Sequence, residues 1–474
     1  MRHTRDFFID GRWVAPAAAG ELPVINPANE REIARISLGG ATDVDRAVMA
    51  ARRAFETFSL TTVEERRALL ARIIAVYERR SEEMAALISA EMGAPIAIAR
   101  GSHVPQGLAH LTEAARTLET YAFETPRAGG IVVQEPIGVC ALITPWNWPI
   151  SLIACKVAPA LAAGCAMVLK PSEVAPLNAW LFAEILDEAG VPPGVFNLVG
   201  GIGPVVGEAL ARHPEVDFVS ITGSNRAGVA VAQAGATTVK RIAQELGGKS
   251  ACILLPDVDI RAHARMAASR LFRNSGQSCA AWTRLLVPED RQDEAIEGAI
   301  AAAQTVIVGD PADPATTMGP VASRDQLERV RGFIRSGLQG GAQMVAGGEA
   351  APEGLVTGYY VPPTVFANVT ADMEIAREEI FGPVLCIMTW RDEEEAIQIA
   401  NSTRYGLSGA VWSVDHARAT KLARRLRSGM VHINETQADY GAPFGGYKQS
   451  GNGREWGAYG LAEYLETKML FGGR

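Results

Sequence analysis

Six cysteines stand in the chain, and one keeps different company from the rest. Cys140 (GVCAL), Cys155 (IACKV), Cys165 (AGCAMV), Cys252 (SACILL) and Cys386 (VLCIM) lie in apolar runs, where free cysteine is an ordinary small core residue. Cys279 instead follows a polar, glycine-containing turn, RNSGQSC, suited to expose the sulfur and supply backbone N–H groups. Those are the conditions a nucleophilic thiolate needs, and an incidental loop cysteine is the plain alternative. Two side chains elsewhere could serve such a nucleophile. Glu245, in QELGGKS, is either a base at a strand end or a surface acid before a turn. Asn147, in TPWNWP, either donates to a developing oxyanion or shapes a proline-bounded turn. No histidine neighbours Cys279, which leaves a Cys/His protease unsupported. The seven histidines are scattered, and neither HExxH nor CxxC occurs, so no metal site is expected.

The elements that must position these residues alternate. Residues 41–120 read as helices, the first capped by Thr42 or Asp43 and a later one stopped by Gly93 before Pro95. From Val139 to Gly248, β-rich runs (VCALIT, AMVLKPS, VFNLVGG, VDFVSITGS, VKRIAQELGG) alternate with helical ones, the pattern of βαβ units around a parallel sheet. Ligands of such sheets sit at the carboxyl ends of strands, where helix N-termini face anions. A second alternating block runs from SACILLPDVD to VHIN, and the tail APFGGYKQSGNGREWG is dense enough in glycine to be a loop near a site or interface. The fingerprint GxGxxG is missing from its usual place; Gly201-Ile202-Gly203 with Gly207 comes near it. A better anion site is Gly223-Ser224, between a strand and a helix.

Composition narrows the function classes. The 474 residues suggest two or three domains, and 48% hydrophobic with 21% charged is the balance of a soluble globular protein. A net charge of −8 without a basic run argues against nucleic acid. No stretch is long and apolar enough for a membrane helix, and the opening MRHTRDFFIDGRWVAP carries charges where a signal peptide needs apolar residues, which predicts a cytoplasmic protein.

Taken in order, ITPWNWP, VLKPSE, ITGS, QELGGKS, NSGQSC, EEIFGP, PFGGYKQSG and GREWG resemble the aldehyde dehydrogenase superfamily from about Phe7 to the end. The resemblance implies an α/β fold: a Rossmann-like NAD-binding domain (1–121 and 138–247), an α/β catalytic domain (248–447) and a small β element for oligomerisation (122–137 and 448–474). It implies oxidation of an aldehyde to the acid, with Cys279 as nucleophile, Asn147 and the Cys279 backbone N–H as oxyanion donors, and Glu245 activating water to hydrolyse the thioester. Glu455, in GREWG, matches a position given either a proton-relay or a structural role. Relatives that pass the acyl group to coenzyme A typically lack a glutamate matching Glu245. By resemblance the dinucleotide would be met by Ile143, Thr144, Pro145, Trp146, Lys170, Ser172, Glu173, Gly203, Gly207, Gly223, Ser224 and Leu246, and by Glu379 and Phe381 at the nicotinamide end. A carboxylate at Glu173 favours NAD, with NADP the alternative that Lys170 leaves open.

Trp148, Ser151, Leu152, Cys155, Arg273, Ser278 and Phe444 would line the substrate tunnel by the same resemblance. Arg273 matches an arginine that holds a substrate carboxylate in succinic semialdehyde relatives, but their second arginine is replaced by Cys155. Arg273 paired with a protein carboxylate at a helix end is the other reading. Aromatic, medium-chain and semialdehyde substrates all stay open, as does an NADP-preferring semialdehyde enzyme. The rival classes are a thiol esterase or acyltransferase, a coenzyme A-acylating enzyme, and a binding protein on a retired enzyme fold. A β-rich edge near 122–137 needs a partner subunit, which implies a homodimer or homotetramer.

Overall fold

The computed structural model describes residues 3–17, 20–434, 436 and 439–473. Two mostly parallel sheets carry the molecule. The first holds eight strands in the order Gly451–Asn452, Arg241–Glu245, Phe218–Thr222, Val139–Ile143, Ala166–Lys170, Phe196–Leu198, Phe7–Ile9 and Arg12–Val14. Its five inner strands are parallel, and the flanking pairs at either end are antiparallel. Chain order reverses direction at Val139–Ile143: the next two strands lie on one side, and Phe218–Thr222 and Arg241–Glu245 on the other. Such a switch point opens a crevice at the carboxyl ends of the central strands.

The three central strands, Val139–Ile143, Ala166–Lys170 and Phe218–Thr222, are buried on both faces because helices cover both, as parallel sheets require. Helix Pro149–Ala163 is buried along all fifteen residues. The second sheet has seven strands, ordered Gln343–Ala346, Thr364–Ala367, Val384–Trp390, Arg284–Pro288, Ala251–Leu254, Gly409–Trp412 and His432–Ile433. A third, three-stranded sheet joins Leu465–Phe471 to Gly130–Pro136 and Glu124–Arg127. Among the described residues no helix is long and apolar enough to cross a membrane.

Local expectations meet two corrections. The first helix, Ala41–Phe58, is capped at Gly40, not at Thr42 or Asp43; Asp43 lies inside the first turn, where its carboxylate reaches back to the Gly40 N–H at 3.1 Å. The glycine-dense tail is not wholly irregular either. Gly451–Asn452 forms an edge strand against Gln244 and Glu245, because Gly451 at φ +122 admits the Gln244 carbonyl where a Cβ would collide. Gly93 ends the helix Ser81–Met92 at φ +86, as expected.

Candidate active site

The carboxyl edge of the first sheet gathers residues that are far apart in sequence. Ile143 ends its strand, and Thr144, Pro145, Trp146 and Asn147 form the turn into helix Pro149–Ala163. Lys170 ends the next strand and Ser172 and Glu173 follow it, with Lys170 Nζ donating to Glu173 at 2.7 Å. Gly203 and Gly207 bound a π-helical turn after strand Phe196–Leu198. Ser224, next to Gly223, caps helix Asn225–Gly235, so that N-terminus opens on the same edge. Leu246 follows Arg241–Glu245 and packs against Gly228. From the other sheet's side, Glu379 accepts the Gly248 N–H at 2.8 Å, and burial raises its pKa to about 7. Phe381 meets Trp146 edge-on, ring centroids 5.4 Å apart.

Cys279 is held by a strained loop. Helix Ile260–Phe272 is followed, after Arg273, by Asn274, Ser275 and Gly276, three consecutive residues at φ +53, +55 and +70. Left-handed backbone at the first two costs on the order of 1 kcal/mol each and persists only where surroundings hold it. Here the Ser275 hydroxyl donates to the Gly319 carbonyl (2.8 Å), and Gln277 binds the Ala322 N–H (2.9 Å) and the Asn274 carbonyl (3.1 Å). Cys279 is half-buried, whereas the other five cysteines are buried. Burial, then the negative charges of Glu379, Glu245 and Glu455, raise its thiol pKa, against one backbone N–H that lowers it. The Asn147 side chain donates to the Gln277 carbonyl, two residues before the sulfur, at 3.1 Å.

Glu245 is buried, and neither carboxylate oxygen has a hydrogen-bond partner among the described residues. Desolvation raises its pKa, Glu455 adds to the rise, and Lys156 and Arg454 work against it. Glu455 in turn pairs with the fully buried Lys156, which also donates to Ser220 at 3.0 Å. Gly445, at φ +152, lies against the Glu245 carboxylate with no room for a Cβ.

A cavity of about 690 Å³ opens on Cys279. Trp148, Ser151, Leu152, Ser278 and Phe444 line it, and Trp456 stacks on Phe444 at 4.6 Å. Two expected lining residues do not. Arg273, just past the end of its helix, is not among the cavity's lining residues and donates to Ser102 at 2.8 Å, with no ion pair to a carboxylate among the described residues; Arg270, one turn earlier, borders the cavity instead. Cys155 lies one turn deeper, its thiol 3.4 Å from a Glu455 oxygen.

Comparison with known proteins decides the family. The profile described as "Aldehyde dehydrogenase family" matches residues 13–470. The chain belongs to that family. It is 54% identical, over its whole length and 99% of the relative, to a 3-succinoylsemialdehyde-pyridine dehydrogenase of a Pseudomonas species. Among solved structures it resembles a cysteine-to-alanine mutant of aldehyde dehydrogenase C from Pseudomonas syringae in complex with NAD+ and octanal, at a TM-score of 0.98 and 51% identity over 99% of this chain and 97% of that one. It also resembles the indole-3-acetaldehyde dehydrogenase AldA of Pseudomonas syringae, in complex with NAD+ and IAA, at a TM-score of 0.96 and 39% identity over 99% and 97%.

Within this aldehyde dehydrogenase the fold joins what sequence reading picked out singly. Asn147 and Cys279 share the Gln277 loop, and Gly248 packs on the Cys279 carbonyl while Glu379 holds its N–H. A Cβ at Gly248 would overlap that carbonyl, so the second glycine of QELGGKS is what lets the strand that carries Glu245 approach Cys279. Sequence reading missed Lys156, Gly445, His103 and Asn274. Only Lys156 carried a visible signal, as the lone charge in the apolar helix PISLIACKVAPALAA.

Proposed function

We infer that this aldehyde dehydrogenase oxidises an aldehyde to its carboxylic acid with reduction of NAD, through a thioester on Cys279 that water hydrolyses. The observation that carries this reading is the seat of Cys279, open to a cavity on one face and packed on the Gly248–Glu379 junction on the other.

The crevice suits a dinucleotide. Thr144 and Thr222, at the carboxyl ends of the two strands flanking the switch point, keep buried hydroxyls without partners among the described residues. The capped helix at Ser224 offers N–H groups to a pyrophosphate, and Lys170 with Glu173 offers a ribose both donor and acceptor. Bound NAD would supply the acceptor for the hydride that the thiohemiacetal carbon gives up on becoming a thioester. Cys279 thiolate attacks the aldehyde carbon and gives a thiohemiacetal. Asn147 has a second side-chain N–H to offer its oxyanion, and Cys279 has its own backbone N–H. Once the thioester stands on Cys279, Glu245 takes a proton from water, the water oxygen adds to the acyl carbon, and the acid leaves with the sulfur restored.

Trp148, Leu152, Phe444 and Trp456 give the chamber an apolar, aromatic wall, and neither Arg273 nor Cys155 offers a site for a carboxylate. The apolar wall favours medium-chain and aryl aldehydes, and Arg270 at the cavity border is the cation that a carboxylated semialdehyde would meet. The likeness to proteins that bind octanal or act on a pyridine-bearing semialdehyde supports this.

Turnover of octanal, an aryl aldehyde and succinic semialdehyde, each with NAD and NADP, tests the reading through cofactor reduction; no turnover of any aldehyde overturns it. In the same assay Glu173→Gln shifts preference toward NADP by about tenfold, because it removes the negative charge that repels a 2′-phosphate. An unchanged ratio removes Glu173 from the ribose site. The free edges of the three-stranded sheet, with Phe471 85% exposed, support a homodimer or homotetramer. A monomer in sedimentation analysis would overturn that part.

A further inference from the structure

The segment that carries His103 has no part in the scheme above. Residues Ala99–His103 form a π-helical turn ahead of helix Val104–Thr120, the kind of turn that re-aims a side chain and recurs at functional sites. The His103 ring is buried and stacks on the Trp148 indole, centroids 4.2 Å apart. Its Nε2 lies 3.2 Å from the Asn274 Oδ1. The far side of the same amide decides which way this bond runs. Asn274 Nδ2 donates to two backbone carbonyls, those of Asn147 at 2.8 Å and Gln277 at 3.2 Å. Both are acceptors only, so Oδ1 must face the ring and Nε2 must carry the proton. Burial lowers the ring's pKa to about 3, with the Asn274 bond working against it and the Arg273 charge adding to it, so the ring holds one proton and Nδ1 stays bare. No described group partners Nδ1, which fits that tautomer. Beside it, the bond from Arg273 to Ser102 ties the same two segments a second time.

We propose that His103 and Asn274 are positioning residues, His103 fixing the Asn274 amide so that it clamps the Asn147 turn to the Cys279 loop. The inference rests on Asn147 serving as oxyanion donor. Asn274 stands in the left-handed run before the nucleophile, where the backbone relaxes unless its side chain is held. Its amide spans the oxyanion turn and the nucleophile loop at once, with Nδ2 held by the two carbonyls and Oδ1 held by the His103 N–H.

Two variants separate the hydrogen bond from the packing. His103→Phe keeps a ring against Trp148 and loses the donor, whereas His103→Gln keeps a donor near Nε2 and loses the ring. The phenylalanine variant is expected to lose about 10- to 100-fold in kcat while both KM values stay within about twofold, since small misplacement of a reacting group acts on the chemical step. His103→Gln is expected to stay within about threefold of the parent, its donor replacing the imidazole N–H. Equal losses in the two variants, or a normal kcat in His103→Phe, overturn the proposal, because His103 then only packs. Should His103→Phe not fold, Asn274→Asp, which cannot donate to the two carbonyls, decides instead: a normal kcat there also overturns it. Asn147→Ala separates the failures, since full activity in that variant sinks the oxyanion assignment whatever His103 does.

Discussion

Cys279→Ala is expected to abolish aldehyde-dependent NADH formation, by at least about 10⁴-fold in kcat, while NAD binding survives. The size follows from the route. Without the sulfur there is no thiohemiacetal, and Asn147 faces an aldehyde that nothing has attacked. Binding is expected to survive because most of the residues proposed to meet the cofactor stand at the carboxyl edge of the first sheet, and the thiol is not among them. The same cysteine should be singled out chemically. Five thiols are buried and Cys279 alone opens on the cavity, so brief alkylation of the native protein should label Cys279 first. Its pKa is raised by burial and by the carboxylates of Glu379, Glu245 and Glu455, so labelling of the free enzyme should accelerate as pH rises. Residual turnover in Cys279→Ala, or labelling of a different cysteine, removes Cys279 from the nucleophile's place.

The carboxyl-edge residues were legible because a parallel sheet obeys a strong rule. Once VCALIT, AMVLKPS and VDFVSITGS are read as strands, Thr144, Lys170 and Gly223 must lie at their ends whatever the loops do. Placement across the crevice was not legible in the same way. The bond between His103 and Asn274 joins residues 171 apart, and neither carries a local pattern that points to the other. Arg273 shows a subtler limit. The residue type suited an anion, but a helix end sets where a long side chain points, and here it points at Ser102. Lys156 could have been found: a lysine in a wholly apolar helix must meet an acid or leave the core, and it meets Glu455. The nearness of that acid to Glu245 could not have been read, because it depends on strand Gly451–Asn452 folding back beside Arg241–Glu245.

Glu245→Gln should leave acylation largely intact and slow thioester hydrolysis by about 10² to 10⁴-fold, the range for loss of a general base. The acyl-enzyme then accumulates, visible as a mass increase on the peptide that carries Cys279 and as a burst of NADH followed by a slow phase. The pH dependence has a definite sign. Only the ionised carboxylate can take a proton from water, and burial together with Glu455 favours the protonated form. Deacylation in the parent enzyme should therefore speed up as pH rises through that elevated pKa, and the glutamine variant, with nothing to ionise there, should lose this rise. Lys156 and Arg454 pull the other way, keeping part of the carboxylate available despite its burial. The same variant speaks to coenzyme A. If water is the natural acceptor, adding coenzyme A to the parent leaves the product a free acid, and the trapped thioester in Glu245→Gln is the species that shows it. Normal turnover in the variant with no adduct on Cys279 would mean that another group prepares the water, and the buried carboxylate beside Gly445 would need a different role.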